Sequence, residues 1–148
     1  MQIHTGLDCH MTEMLLCAKE FVQESDHLIT YSEYNSTMYF ISLLNDTSTD
    51  VILIRDGNEV AGIALVGYEA DFHKERFGYV IKFYIRKRFR GTTAGRLLAD
   101  SMGTWFDIND CIKSFATSTA GIQEDKLFIN LLGKYGFLPE GTVLTRNK

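Results

Sequence analysis

Proline is almost absent from this 148-residue chain, with Pro139 standing alone near the end. Polyproline and collagen-like architectures are excluded, and long unbroken helices and strands are allowed. Cysteine is scarce as well. Cys9, Cys17 and Cys111 are odd in number, and neither C-x-x-C nor H-E-x-x-H spacing occurs, so neither a disulfide framework nor a structural zinc site is indicated. If Cys9 and Cys17 share the first helix, they lie about 12 Å apart along its axis, too far to bridge. Three reduced thiols are expected. No apolar run approaches the roughly 18–20 residues that a membrane-spanning helix needs, and Met1-Gln2-Ile3-His4 lacks the basic-then-apolar layout of a secretion signal. The expectation is a soluble, cytoplasmic protein without membrane contact. G-x-x-x-x-G-K-[ST] and G-x-G-x-x-G are missing too, which removes the two commonest glycine-rich phosphate loops.

What remains is ordinary globular composition, 45% hydrophobic and 23% charged in 16.8 kDa. Such a length suits one domain, residues 1–148, able to bury about 68–70% of its unfolded surface. The net charge of −4 is unevenly placed. Residues 82–96 contain Lys82, Arg86, Lys87, Arg88, Arg90 and Arg96 and no acid, so that segment carries +6 and the remainder −10. A basic segment in an acidic chain is either a solvated face or an anion site, because clustered cations concentrate a phosphate-bearing ligand. The acidic remainder, and the lack of an aromatic stacking platform along the cluster, argue against nucleic acid as partner.

Hydrophobic periodicity gives the element order. After a short strand at 2–4, Met11, Met14, Leu15, Ala18, Phe21 and Val22 recur at helical spacing, with Asp8 placed to cap and an end near Ser25-Asp26. Ser32 precedes a second helix whose core stripe is read as Tyr34, Met38 and Ile41, closing at Asn45-Asp46. The β-rich run 51–54, the turn Asp56-Gly57-Asn58 and the run 60–68 predict an antiparallel hairpin. A polar loop over 69–76 leads to a strand at 79–86, then a helix over 94–106 with Leu97, Leu98, Met102, Trp105 and Phe106 inward. A strand at 112–117 follows. The last helix spans 122–135 with Phe128, Leu131, Leu132 and Tyr135 inward, and strand-like ends at Gly136-Phe137 and 142–145 flank Leu138-Pro139-Glu140-Gly141. The predicted fold class is α/β (a mixed sheet with helices on both faces), in the order β-α-α-β-β-β-α-β-α-β-β.

The segment that carries chemistry runs from Phe83-Tyr84-Ile85 through Arg86-Lys87-Arg88-Phe89 into Arg90-Gly91-Thr92-Thr93-Ala94-Gly95-Arg96. It is a strand feeding a basic loop that opens into a helix. The first amides of a helix have no intrahelical acceptor and the dipole is positive there, so such a loop can wrap an anion.

These residues resemble the GNAT superfamily of acyl-coenzyme-A-dependent N-acyltransferases, whose signature [Q/R]-x-x-G-x-[G/A] reads here as residues 90–95 after a strand ending Ile85-Arg86-Lys87-Arg88-Phe89-Arg90. Leu131-Leu132-Gly133-Lys134-Tyr135-Gly136-Phe137 is similar to the family's L-Y-E-K-x-G-F helix end, and the element order matches over nearly the whole chain. A weaker likeness, carried by R-G-x-x-A-G and Ser118-Thr119-Ala120-Gly121-Ile122, is to GNAT-like proteins of phages and prophages. The resemblance implies an N-acetyltransferase with acetyl-CoA as co-substrate and no metal, in which an amine of a small-molecule or protein acceptor attacks the thioester directly. It implies that the amides of Arg90, Gly91, Thr92, Thr93, Ala94 and Gly95 hold the pyrophosphate. Arg90 and Arg96 would add charge. Backbone groups of Phe83, Tyr84 and Ile85 would pair with the pantetheine arm.

Two positions depart from the family pattern. Thr93 stands where glycine is usual, which is acceptable if its φ is negative, and its hydroxyl could donate to a phosphate oxygen. Leu132 stands where many members place the tyrosine that protonates the leaving thiolate, leaving Tyr135 as the candidate acid against a plain core role. Glu69, with Asp71, His73 and Glu75, is the candidate base against a solvated loop. Glu24, Asp26 and Glu33 either line the acceptor cleft or keep the surface soluble. A catalytically inactive GNAT-fold binding protein is the alternative to an enzyme, and a homodimer is compatible with the sequence.

Overall fold

The computed structural model describes residues 1–25, 29–117, 125–139 and 146. Five strands form one sheet in the order β1-β2-β3-β4-β5: β1 (Gln2–Thr5), β2 (Thr49–Asp56), β3 (Glu59–Glu69), β4 (Arg76–Ile85) and β5 (Cys111–Ala116). The first four are antiparallel neighbours, and β5 joins β4 in parallel. The helices are α1 (Met11–Glu24), α2 (Glu33–Asn45), α3 (Ala94–Ile108) and α4 (Asp125–Gly133). A mixed α/β fold in the expected order results.

β2 and β3 are buried continuously from Val51 to Ile54 and from Val60 to Gly67, as strands covered on both faces must be. On one face Met14 and Cys17 of α1 and Phe40 and Leu43 of α2 meet Val51, Leu53, Ile63 and Leu65. On the other, Leu98, Met102 and Phe106 of α3 and Leu132 of α4 meet Ile52, Ile54, Ala64 and Val66. Gly78 lets α3 seat this closely, because a Cβ there would lie 2.5 Å from the Phe106 ring. The sheet thus divides two cores.

Four expectations change. α2 turns Tyr34, Met38 and Ile41 outward, 73%, 48% and 40% exposed, and buries Phe40 and Leu43. The helix has apolar residues on both faces, so periodicity alone could not set its phase; docking against β2 and α1 did. Asp8 falls in a 3-10 turn (Gly6–Asp8), and α1 is preceded by His10 with no side-chain cap. Ser32, by contrast, caps α2 by accepting from the Asn35 amide at 3.2 Å. Cys9 lies ahead of α1 and not in it. Finally, Gly136 is a turn residue with φ 87° and Phe137 is irregular, whereas residues 118–122 and 142–145 lie outside the described residues.

All three cysteines are free. Burial pushes the Cys9 and Cys17 thiols up to about 12, and the thiolate is the reactive form. At pH 8 a disulfide reagent should therefore label half-buried Cys111 in the native protein, and Cys9 and Cys17 only after unfolding. Fast release of three equivalents from the native chain would contradict these burials.

Candidate active site

Beyond Ile85 the chain makes a 3-10 turn (Lys87–Phe89) and enters α3 at Ala94. The turn is anchored from inside: Phe89 is buried and its carbonyl accepts from the Thr92 amide at 3.3 Å and the Thr92 hydroxyl at 2.6 Å. Gly91 reverses the chain at φ +81°, a conformation that costs a glycine little and other residues about 1–2 kcal/mol. Thr93 sits at the helix start with φ −72°, ψ −7°, so a β-branched residue fits where the signature has glycine.

The amides of this turn fall into two sets. Those of Arg90, Thr92 and Ala94 donate to Lys87 O, Phe89 O and Thr92 Oγ1, each at 3.3 Å. Those of Gly91, Thr93, Gly95 and Arg96 have no acceptor among the described residues. Three of the six amides of 90–95 are thus satisfied within the loop itself. The Thr93 hydroxyl lies 3.5 Å from Met1 Sδ at the surface.

Next to this turn the sheet opens. β5 pairs with β4 only from Arg76 to Val80, while β4 continues to Ile85 against β3. Lys82 stands opposite Leu65 and Val80 opposite Val66, so Ile81 is the extra residue of a β-bulge. Residues 81–85 thus have an edge without a strand partner among the described residues. Alternation decides which groups face it. The Arg86 amide donates to Ala61 O at 2.9 Å, which directs the Tyr84 and Lys82 backbone toward β3 and leaves Phe83 and Ile85 facing outward. The Tyr84 backbone thus faces β3, and the Ile85 carbonyl accepts from Arg90 Nε at 2.9 Å.

Much of the basic cluster is already neutralised. Arg86 makes a bidentate pair with Glu20 at 2.9 Å and also donates to Val60 O. Arg88 pairs with Glu59, and Arg90 with Glu24 at 2.7 Å. The Arg90 guanidinium, expected over the phosphates, is instead turned toward α1 and lies 5.6 Å from the Tyr84 ring. The Tyr84 hydroxyl donates to the same Glu24 carboxylate, and burial together with that bond raises its pKa. Lys87 and Arg96 remain exposed, with no ion pair among the described residues.

Residues 11–133 match the model of the Acetyltransferase (GNAT) family. The chain belongs to that family. No curated protein matches the sequence significantly. Solved structures extend the likeness to the whole fold: an aminoglycoside N-acetyltransferase in complex with CoA has a TM-score of 0.81 at 11% identity, covering 99% of this chain and 93% of that one. Glucosamine-6-phosphate N-acetyltransferase from Arabidopsis thaliana gives 0.71 at 15%, covering 99% and 97%. An integron cassette protein from the mobile metagenome of Cole Harbour Salt Marsh gives 0.78 at 17%, covering 99% and 90%.

In this GNAT chain the candidate acid and base are placed as follows. Leu132 is 3% exposed in the α3–α4 core, so no hydroxyl stands there. The Tyr135 hydroxyl donates to Arg96 O at 3.3 Å, and burial raises its pKa. It is tied to α3. Glu69 ends β3 in an exposed position, and its carboxylate beside the Tyr79 hydroxyl pushes that phenol up to about 12. His73 stacks 4.4 Å from the Phe77 ring and its Nδ1 is 2.6 Å from Glu75 O. Asp71 and Glu75 are exposed, as is Glu33 in the first turn of α2. Asp26 lies outside the described residues. The Glu24–Tyr84–Arg90 linkage was the feature missed, although Glu13, Glu20 and Glu24 recur on one side of α1, the only signal that could have revealed it.

Among the described residues no group of three or more His, Cys, Asp or Glu could hold a metal. None of their helices is long and apolar enough to cross a membrane.

Proposed function

We propose that this protein transfers the acetyl group of acetyl-CoA to a primary amine within a ternary complex. The observation that carries this reading is the conjunction of amides at Gly91, Thr93, Gly95 and Arg96 that have no acceptor among the described residues with a β4 edge at 81–85 that has no strand partner among them. The first is a cradle for a diphosphate. The second accepts an amide-bearing arm as an added strand, through the outward groups of Phe83 and the Ile85 amide. Arg96, exposed on the first turn of α3, supplies charge, and Lys87 adds to the field.

Holding both reactants supplies proximity, and outward β4 amides polarise the thioester carbonyl. The amine nitrogen bonds to the carbonyl carbon as the C–S bond breaks with its electron pair on sulfur. Of the two protons lost by the ammonium, one leaves before attack and passes on to solvent through its acceptor, and the other reaches the thiolate. Glu69 is the proposed acceptor for the proton lost before attack. Tyr135 is not assigned as the acid, since its hydroxyl is bonded to Arg96 O, and a relayed proton replaces it.

The second reading, a GNAT-fold protein that binds coenzyme without turnover, is favoured by Leu132 alone. Thermal unfolding with acetyl-CoA and with CoA tests both. A ligand at 100 times its Kd should stabilise by about 2.7 kcal/mol. No shift with either form refutes both readings. A shift without thioester cleavage across an amine panel supports the second.

A further inference from the structure

The α1/α2 face of the sheet carries an aromatic surface where β4 and β5 part. Tyr79 stacks on Phe115 with ring centroids 5.6 Å apart, and Phe77 meets Phe115 edge-on at 6.0 Å. All three rings are half-buried, and they share the face of Ile81, because Gly78 and Val80 between them point into the α3 core. Tyr79 and Phe115 are paired in register one position before the last β4–β5 pair, Val80 with Ala116. The aromatic surface therefore begins where the open edge begins.

Its rim carries charge of both signs in a definite order. Glu69 is opposite Phe77 on β3 and Lys113 opposite Phe77 on β5. The Glu69 carboxylate faces the Tyr79 hydroxyl, and Asp71 adds negative charge nearby. The Lys113 ammonium stands 5.3 Å from the centroid of the Phe115 ring. A primary ammonium from the protein's own chain is thus already held against one of these rings, as the negative face of an aromatic favours. A second cation reaching Tyr79 from solvent would meet the carboxylates of Glu69 and Asp71, beside a Phe77 ring that His73 already covers.

We propose that Phe77, Tyr79 and Phe115, with Glu69 at their rim, form the acceptor platform, and that the acceptor is a monocationic primary amine carried on a flat apolar body. The proposal rests on the acetyl-transfer reading above, which puts the reacting carbonyl at the open edge of β4. Tyr79 and Phe115 give the body its stacking area beside Phe77, whose ring His73 already covers at 4.4 Å between centroids, and the Glu69 carboxylate gives the ammonium its counter-charge. Among the described residues the carboxylates acting on Tyr79 are Glu69 and Asp71, which suit one ammonium better than an extended polycation.

The experiment is calorimetric titration of 2-phenylethylamine, n-butylamine and spermidine into the CoA-saturated full chain, on the wild type, Phe115→Leu and Glu69→Gln. On the wild type, 2-phenylethylamine should bind at least 10-fold tighter than n-butylamine. Phe115→Leu should cut that preference to less than 3-fold, and Glu69→Gln should weaken both monoamines together. Equal affinity for the two monoamines, tighter binding of spermidine, or indifference to Phe115→Leu overturns the platform. CoA binding is measured first in each protein. Retained CoA binding without amine discrimination overturns this inference alone, whereas absence of CoA binding by the wild type overturns the acetyl-transfer reading and the platform with it.

Discussion

Thr93→Glu is expected to abolish coenzyme binding while leaving the protein as stable as the parent or slightly more so. Thr93 is exposed at the start of α3 and its side chain caps nothing. A carboxylate there sits at the positive end of the helix dipole, which stabilises by about 0.3–1 kcal/mol. The same charge stands beside the Thr93 and Gly95 amides, where a diphosphate is proposed to lie. At 4 Å and an effective dielectric near 20, two like unit charges repel by about 4 kcal/mol, roughly a thousandfold in affinity. Thermal unfolding reads both effects: a midpoint equal to or above the wild type without ligand, and no rise with CoA. A CoA shift of wild-type size would place the diphosphate elsewhere.

Glu24→Ala should be the most destabilising single change among the surface-flanking carboxylates. Glu24 receives the Tyr84 hydroxyl and the Arg90 guanidinium, with side-chain exposures of 24% for Glu24 and 20% for Arg90. Removing one partner of a buried pair costs about 3–5 kcal/mol, and partial solvent access reduces this to about 2–3 kcal/mol. At roughly 2–4 °C per kcal/mol for a chain of this size, the unfolding midpoint should fall by roughly 5–10 °C. Glu24→Gln keeps an acceptor for Tyr84 and should fall by about half as much.

The gap should also depend on pH. Burial and Glu24 raise the Tyr84 pKa, so its contribution is complete below the unfolded tyrosine value of about 10 and declines as pH rises above it. The difference between wild type and Glu24→Ala should accordingly narrow above about pH 10. A constant gap would remove Tyr84 from the linkage.

The residues that were readable in sequence are those whose neighbours are local. The β2–β3 hairpin follows from one turn signal between two β-rich runs, and the inward face of α3 from spacing alone. The 90–96 turn was recognisable because its chemistry lies in consecutive amides. Which of those amides remain unpaired was not, since Phe89 O and Thr92 Oγ1 become acceptors only after the turn closes. The fate of Arg90 was hidden for a different reason: its partner lies 66 residues away on α1. The outward face of α2 failed because Tyr34, Met38 and Ile41 form as good an apolar stripe as Phe40, Leu43 and Leu44, and only long-range packing chooses between them. The aromatic surface required the β4–β5 register, which no linear pattern encodes.

The three carboxylates of α1 reach three different parts of the molecule: Glu13 to Arg55 on β2, Glu20 to Arg86 beyond β4, and Glu24 to Arg90 in the turn. At about 100° per residue they occupy one narrow strip of the helix. The helix is consequently keyed, like a shaft with three teeth, and admits one rotation and one axial setting. Whatever displaces the turn that receives Glu24 is felt along the whole rod, including the end that grips β2.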